Sequence, residues 1–337
     1  MNRRTFLSSA GLAVLHVRAV PSAVLNSGGN GGKSLVLLFL RGAADGLNIA
    51  VPHGDKTYYA LRPAIAIPRR SVIDLDGFFG LHPLLAPLKP IYDRKNLAVV
   101  HAAGSPDPVR SHIDAQRAVE SGAARAIYGA SLVDFPARHR ELQRDLHRER
   151  NENSPAARWQ LAGYPRTKLG RRLAGIAQAI KTGMASQVAV AAMDGWDHHI
   201  NAVGRNIETG ALAGQLRDLG ASLAAFDRDL GDRMEDVLLV TMSEFGRAAR
   251  ENGMRGTGHG RANFMFLMGG NVDGGRVHAR WPGLQREQLD AGGGLAVTTD
   301  YRHILAQVAG AHLHRPSPPS LIPGLTARPE ILVQHLG

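Results

Sequence analysis

Cysteine is absent from all 337 residues. That single absence excludes disulfides, thiolate metal sites and cysteine nucleophiles together. No apolar run reaches the roughly 20 residues that a spanning helix needs, so no stable membrane anchor is expected. Two catalytic signatures are also missing. There is no G-x-S-x-G elbow to support an α/β-hydrolase serine. No G-x-G-x-x-G follows the first apolar run to support a dinucleotide fold. Internal repeats and long low-complexity tracts are lacking too.

What is present is an ordinary globular composition, 44% hydrophobic and 20% charged. The length suffices for one large α/β domain or two smaller ones. The net charge is +11, with Arg3, Arg4 and Arg18 near the N-terminus and a dense basic run, RHRELQRDLHRER, at 138–150. Acidic residues interrupt that run and no aromatics interleave it. A solvated helix face is therefore expected there, and nucleic-acid binding is not. The basic balance suits small anionic substrates such as phosphate and sulfate esters.

The N-terminus reads Met1-Asn-Arg-Arg-Thr-Phe-Leu, paired arginines ahead of a short, weakly apolar stretch. This is the pattern of a twin-arginine export signal, expected over residues 1–25. It makes the twin-arginine export machinery a partner and the periplasm or the exterior the destination. Ala19 and Ala23 are both cleavage candidates. Residues 26–33 read as a flexible linker, 34–315 as a single α/β domain, and 316–337 as a proline-rich tail.

The rest of the domain is organised around 188–199, VAVAAMDGWDHH. A uniformly apolar run stops abruptly at carboxylates and imidazoles, as expected of a strand buried on both faces of a parallel sheet. Open α/β sheets bind ligands just beyond the carboxyl ends of such strands. Similar runs occur at 34–40, 97–101, 237–242 and 263–268. Helices are expected at 82–92, 169–180, 211–231 and from 298 to about 313. Beyond the strand ends lie Asp45 with Asn48, His112 with Asp114, Asp197 with His198 and His199, and Glu244 with Arg247, followed by a glycine-rich loop bearing His259. Each set has a structural reading as a turn brace, a surface group or a local ion pair. Together they predict one shared polar or metal site on the rim of a mostly parallel central sheet flanked by helices. Carboxylate oxygen with imidazole nitrogen suits a divalent metal ion, Zn, Mn or Mg.

The segments LFLRGAADGLN, HPLLAPLKPIYD, LAVVHAAG with SHIDAQ, GWDHH, TMSEFGRAARENG, GTGHG and TTDYR run in order from residue 34 to about 313. In this set the chain resembles the exported family known as domain of unknown function 1501, which in turn resembles the alkaline-phosphatase-like superfamily of sulfatases, phosphatases and phosphomutases. The resemblance implies an alkaline-phosphatase-like fold, a one- or two-metal centre, and hydrolase or transferase chemistry on a phosphate or sulfate ester. By it Asp45 matches the acid after the first strand, Asp197 and His199 match a Gly-Trp-Asp-x-His motif, and His259 matches the histidine of an Asp-His-Gly motif.

The implied metal ligands are Asp45, Asp197, His199 and His259, with His198 and His112 as further candidates. Glu244 is expected as ligand or base, and Arg247 as a clamp for the anionic group. Gly258 stands where the family has aspartate, so one ligand is missing, and an aspartate restored there is expected to reach the same ion. His198 is a substitute, and Asp194 with His198 forms the Asp-x-x-x-His spacing of the wider superfamily. The missing aspartate also supports a second reading, a non-catalytic exported binding or assembly protein that keeps the fold with an incomplete metal site.

Overall fold

A computed structural model describes residues 32–121, 163–183, 185, 188–270 and 272–313. The export signal, most of the linker, the basic run at 138–150 and the proline-rich tail lie outside the described residues.

The first apolar run forms β1 (Ser34–Leu40). A glycine turn leads to a short helix, α1 (Gly46–Ile49), and then to β2 (Ala50–Val51), α2 (Lys56–Leu61), β3 (Ile73–Asp74) and β4 (Gly80–Leu81). The segment expected as one helix at 82–92 is a 3-10 turn over Pro83–Leu88 continued by α3 (Lys89–Asp93). The reason is proline: Pro87 lies inside the segment and Pro90 at the start of α3, and neither can donate a backbone hydrogen bond. After β5 (Leu97–Gly104) come α4 (His112–Ser121), α5 (Lys168–Lys181), β6 (Val188–Met193), α6 (Ala211–Leu230) and β7 (Val237–Met242). The remaining elements are β8 (Arg247–Glu251), β9 (Thr257–His259), β10 (Asn263–Gly269), β11 (Val277–His278), β12 (Thr299–Asp300) and α7 (Tyr301–Gln307).

Seven strands form the central sheet in the order β11-β5-β10-β7-β1-β6, with β12 also on β5. β1 runs parallel to both β6 and β7, and β5 parallel to β11 and β12. β10 is antiparallel to both of its neighbours. The sheet is therefore mostly parallel, as expected, with one reversed strand. That reversal matters for function, because the start of β10 lies on the same rim as the ends of β1, β5, β6 and β7.

Alternation along β1 shows why its run is uniformly apolar. Val36, Leu38 and Leu40 enter a core shared with Leu173 and Ile176 of α5 and Leu216 and Phe226 of α6. Leu35, Leu37 and Phe39 enter the opposite core with Tyr301, Ile304 and Leu305 of α7. Both faces of the sheet are covered, so every side chain from Leu35 to Leu40 must be apolar. Each such residue contributes roughly 1.5–3 kcal/mol on burial. Among the described residues no helix is long and apolar enough to cross a membrane.

Candidate metal centre

The site starts from two tight turns. After β1 the chain reverses through Gly42, at φ +115°. A Cβ there would lie 2.6 Å from the Asp197 backbone nitrogen, so only glycine lets the two loops touch. After β6, Gly195 turns the chain at φ +94° and Trp196 is fully buried as an anchor. Asp197 and His199 are left on the rim.

The stretch read as a glycine-rich loop holds a hairpin instead, β8 against β9, with Arg247 opposite His259 and Glu251 opposite Thr257. In it Thr257 and His259 share a face with Arg247, while Gly258 faces the Ala248 side. A Cβ at 258 would meet only the Ala248 Cβ at 4.0 Å. An aspartate at 258 would therefore point away from His259, contrary to the sequence expectation, because side chains alternate along a strand.

His112, Asp197 and His259 form a group that can hold a metal ion. The His259 Nδ1 lies 3.2 Å from the Arg110 carbonyl, which can only accept, so that nitrogen carries the proton. The His112 Nδ1 likewise donates to Glu244 Oε1 at 2.7 Å. With both rings neutral, the two Nε2 atoms present lone pairs that face each other at 3.1 Å. Two such nitrogens repel unless a proton or a metal ion lies between them. Asp197 Oδ2 is 3.4 Å from His112 Nε2, and Oδ1 is 3.3 Å from His259 Nε2. Donors bound at the usual 2.0–2.1 Å around a tetrahedral ion are about 3.3 Å apart. The spacing fits. His199 Nε2 adds a further donor, 2.9 Å from Asp197 Oδ1 and 3.0 Å from His259 Nε2.

Behind these donors is a supporting layer. Glu244 is buried, and its Oε1 also accepts from the Gly42 backbone N–H at 2.9 Å and from Gln116 Nε2 at 3.0 Å. Arg247, also buried, donates to Asp197 Oδ1 at 2.5 Å through Nη1, to Thr257 Oγ1 at 2.9 Å through Nε, and to the Thr257 carbonyl at 2.5 Å through Nη2. Burial raises the Asp197 carboxyl, but Arg247 and the histidines His199 and His112 outweigh it and hold it below the usual range. Burial, helped by Arg247 and His112, pushes the His259 imidazole down and keeps it neutral.

Two expected ligands stand outside the group. Asp45 is buried and takes Arg62 Nη1 on both oxygens, at 2.9 and 2.7 Å. Arg62 is itself fully buried and also bonds the Ala248 and Ala249 carbonyls. His198 is buried with neither ring nitrogen hydrogen-bonded, and burial lowers its pKa. Asp194 is exposed, and it is its carbonyl that Gln215 holds. Sequence reasoning missed Arg62, Gln116 and the Arg110 carbonyl. Gln116 follows His112 by one helical turn, which is the only sequence signal any of them carries.

Residues 183–320 match the model of the family described as "Protein of unknown function (DUF1501)". That stretch contains Asp197, His199, Glu244, Arg247 and His259 but neither Asp45 nor His112. The crystal structure of the C-terminal periplasmic domain of EcEptC from Escherichia coli, in complex with Zn, aligns over 72% of this chain and 74% of that one. The identity is 12% and the TM-score 0.33, too low a likeness to carry an argument about this fold. No curated protein matches the chain.

Proposed function

We propose that this chain is an exported, metal-dependent hydrolase or transferase of alkaline-phosphatase-like architecture that acts on a phosphate or sulfate ester. The observation that carries the proposal is the convergence of the His112 and His259 Nε2 atoms, 3.1 Å apart, beside the Asp197 carboxylate. A divalent ion held there would neutralise ester oxygens and activate a water or hydroxyl nucleophile. His112, Asp197, His199 and His259 would hold it. A donor set this rich in imidazole favours Zn or Mn over Mg, which prefers oxygen.

In this reading Glu244 and Arg247 are positioning residues. Glu244 fixes the tautomer and orientation of His112, and Arg247 orients Asp197 from a buried position. A second reading, a non-catalytic exported binding protein, is favoured by one observation: Asp45, a ligand by family resemblance, is committed to Arg62.

Elemental analysis of the purified protein, with His112→Ala and Asp197→Ala, tests the proposal alongside turnover of generic phosphate and sulfate esters. Bound metal that is lost in both variants, with hydrolysis lost in parallel, supports the enzyme. Bound metal without turnover of any ester supports the binding protein. Metal content unchanged by both substitutions removes the centre altogether. Export rests on the sequence, and replacing Arg3 and Arg4 with lysine should hold the precursor in the cytoplasm; unaltered fractionation would remove the twin-arginine route.

A further inference from the structure

Beside the proposed centre lies a cavity of about 380 Å³, with Glu244 and Asp114 on its wall. Arg261 also lines this cavity and forms part of the wall of a second one, of about 440 Å³. The second cavity is bounded by Arg261, Arg280, Thr298, His303, Asp290 and Asp300.

Its two acids are already satisfied. Asp290 pairs with Arg110 at 2.5 Å and accepts the Gly294 backbone N–H at 2.6 Å. Asp300 pairs with Arg302 at 2.6 Å. Its two guanidinium groups have no carboxylate partner among the described residues. Arg261 Nη2 bonds the Ser105 and Pro106 carbonyls, each at 3.1 Å, and Arg280 Nη2 bonds the Thr298 carbonyl at 2.7 Å. Two guanidinium groups without a carboxylate partner thus share the wall of one space, where an anion with several acceptor oxygens would pair with them.

We infer that this second cavity is an oxyanion subsite that takes a second acidic group of the substrate whose ester lies at the neighbouring metal centre. The inference rests on the proposed ester chemistry and narrows the substrate to a class: an ester carrying another phosphate, sulfate or carboxylate, spaced from the reacting one by the distance between the two cavities. Because the second group is bound away from the reacting bond, it contributes to affinity and to the choice of substrate, and leaves the bond-breaking step itself unchanged.

The test uses the full chain freed of metal by chelation, with inorganic phosphate and inorganic sulfate as probes in calorimetric titrations. Arg280→Gln is the main variant, since Arg280 is exposed and its loss spares the core. Arg261→Gln is the second, checked for folding because Arg261 holds two backbone carbonyls. Arg280→Gln should weaken phosphate binding by about tenfold or more, the loss of one charge-assisted hydrogen bond, while His112→Ala leaves it unchanged. The metal-loaded protein is then given a simple phosphate monoester and one bearing a second phosphate. Arg280→Gln should raise KM for the second ester alone, at constant kcat. Phosphate binding that survives Arg280→Gln and Arg261→Gln overturns the subsite. So does binding that is abolished by His112→Ala. Binding that depends on Arg280, with equal KM for the two esters, makes the cavity a site for free phosphate and overturns the substrate assignment. Arg280-dependent binding with no turnover of either ester refutes the enzymatic reading, and the substrate assignment falls with it.

Discussion

Glu244→Gln isolates the supporting layer of the candidate centre. The carboxylate is buried, and one of its oxygens collects three donors, His112 Nδ1 at 2.7 Å, the Gly42 N–H at 2.9 Å and Gln116 Nε2 at 3.0 Å. Glutamine keeps the shape and one accepting oxygen, so these three bonds can persist. The new amide would face Ser243 Oγ, which lies 3.2 Å from the other oxygen and can accept, since its own proton can go to the Leu40 carbonyl at 2.7 Å. What is lost is the negative charge behind His112, and with it part of the basicity of the liganding nitrogen. Losing such a partner typically costs 10- to 100-fold in metal affinity, about 1.4–2.7 kcal/mol. Glu244→Ala would be less informative, because it orphans up to three buried donors at about 1–3 kcal/mol each and would register mainly as unfolding. Affinity is read by competition with a chromophoric chelator, with the melting temperature of metal-free protein as the control for folding. A folded Glu244→Gln protein with wild-type affinity would refute the assignment of His112 as a ligand steered by Glu244.

Three further outcomes follow from other contacts. Arg62→Met leaves Asp45 buried without its partner and should cost about 3–5 kcal/mol by urea denaturation; adding Asp45→Asn should recover part of that, and a cost below 1 kcal/mol would show that the pair is not needed. Gly258→Asp should fold normally and leave metal affinity unchanged, whereas tighter binding in a metal titration would show that position 258 does face the ion. Acid should destabilise the metal-free protein through His82 and His101, which burial above all holds neutral, at pKa values of about 4. The unfolded chain protonates them near 6.5 and the native state does not. Stability present above that pH is therefore lost as pH falls from 6.5 towards 4, up to about 3 kcal/mol for each histidine. A flat urea midpoint across that window would refute it.

How much of this was legible in the sequence differs from residue to residue. The runs at β1, β6, β7 and β10 were readable because a strand covered on both faces must be apolar throughout. An apolar run carries no direction, however, so the reversal of β10 became visible only in its pairing. Asp197, His199 and His259 were readable from motifs, and their convergence followed from the rule that strand ends share a rim. The hairpin of β8 and β9 was hidden because its pairing is irregular and its second strand is only Thr257, Gly258 and His259. The capture of Asp45 by Arg62 was hidden for a different reason. A pairing of two charges 17 residues apart leaves no periodicity to find, and the acid looked free.

The strand order also bears on how the chain reaches its native state. β1 lies between β6 and β7, with Leu35 opposite Val188 on one side and Leu238 on the other. β5 lies between β10 and β11. A fragment limited to the family-matched stretch, 183–320, would therefore hold a sheet with two strands missing from its interior, and it would lack His112 as well. During synthesis β1 leaves the ribosome about 150 residues ahead of its first partner, and the sheet cannot close until β10 is complete at Gly269. Contacts this distant in sequence make folding slow. The six apolar residues of β1, three on each face, must wait through that delay, so the newly made chain is most prone to aggregate before its last strands arrive.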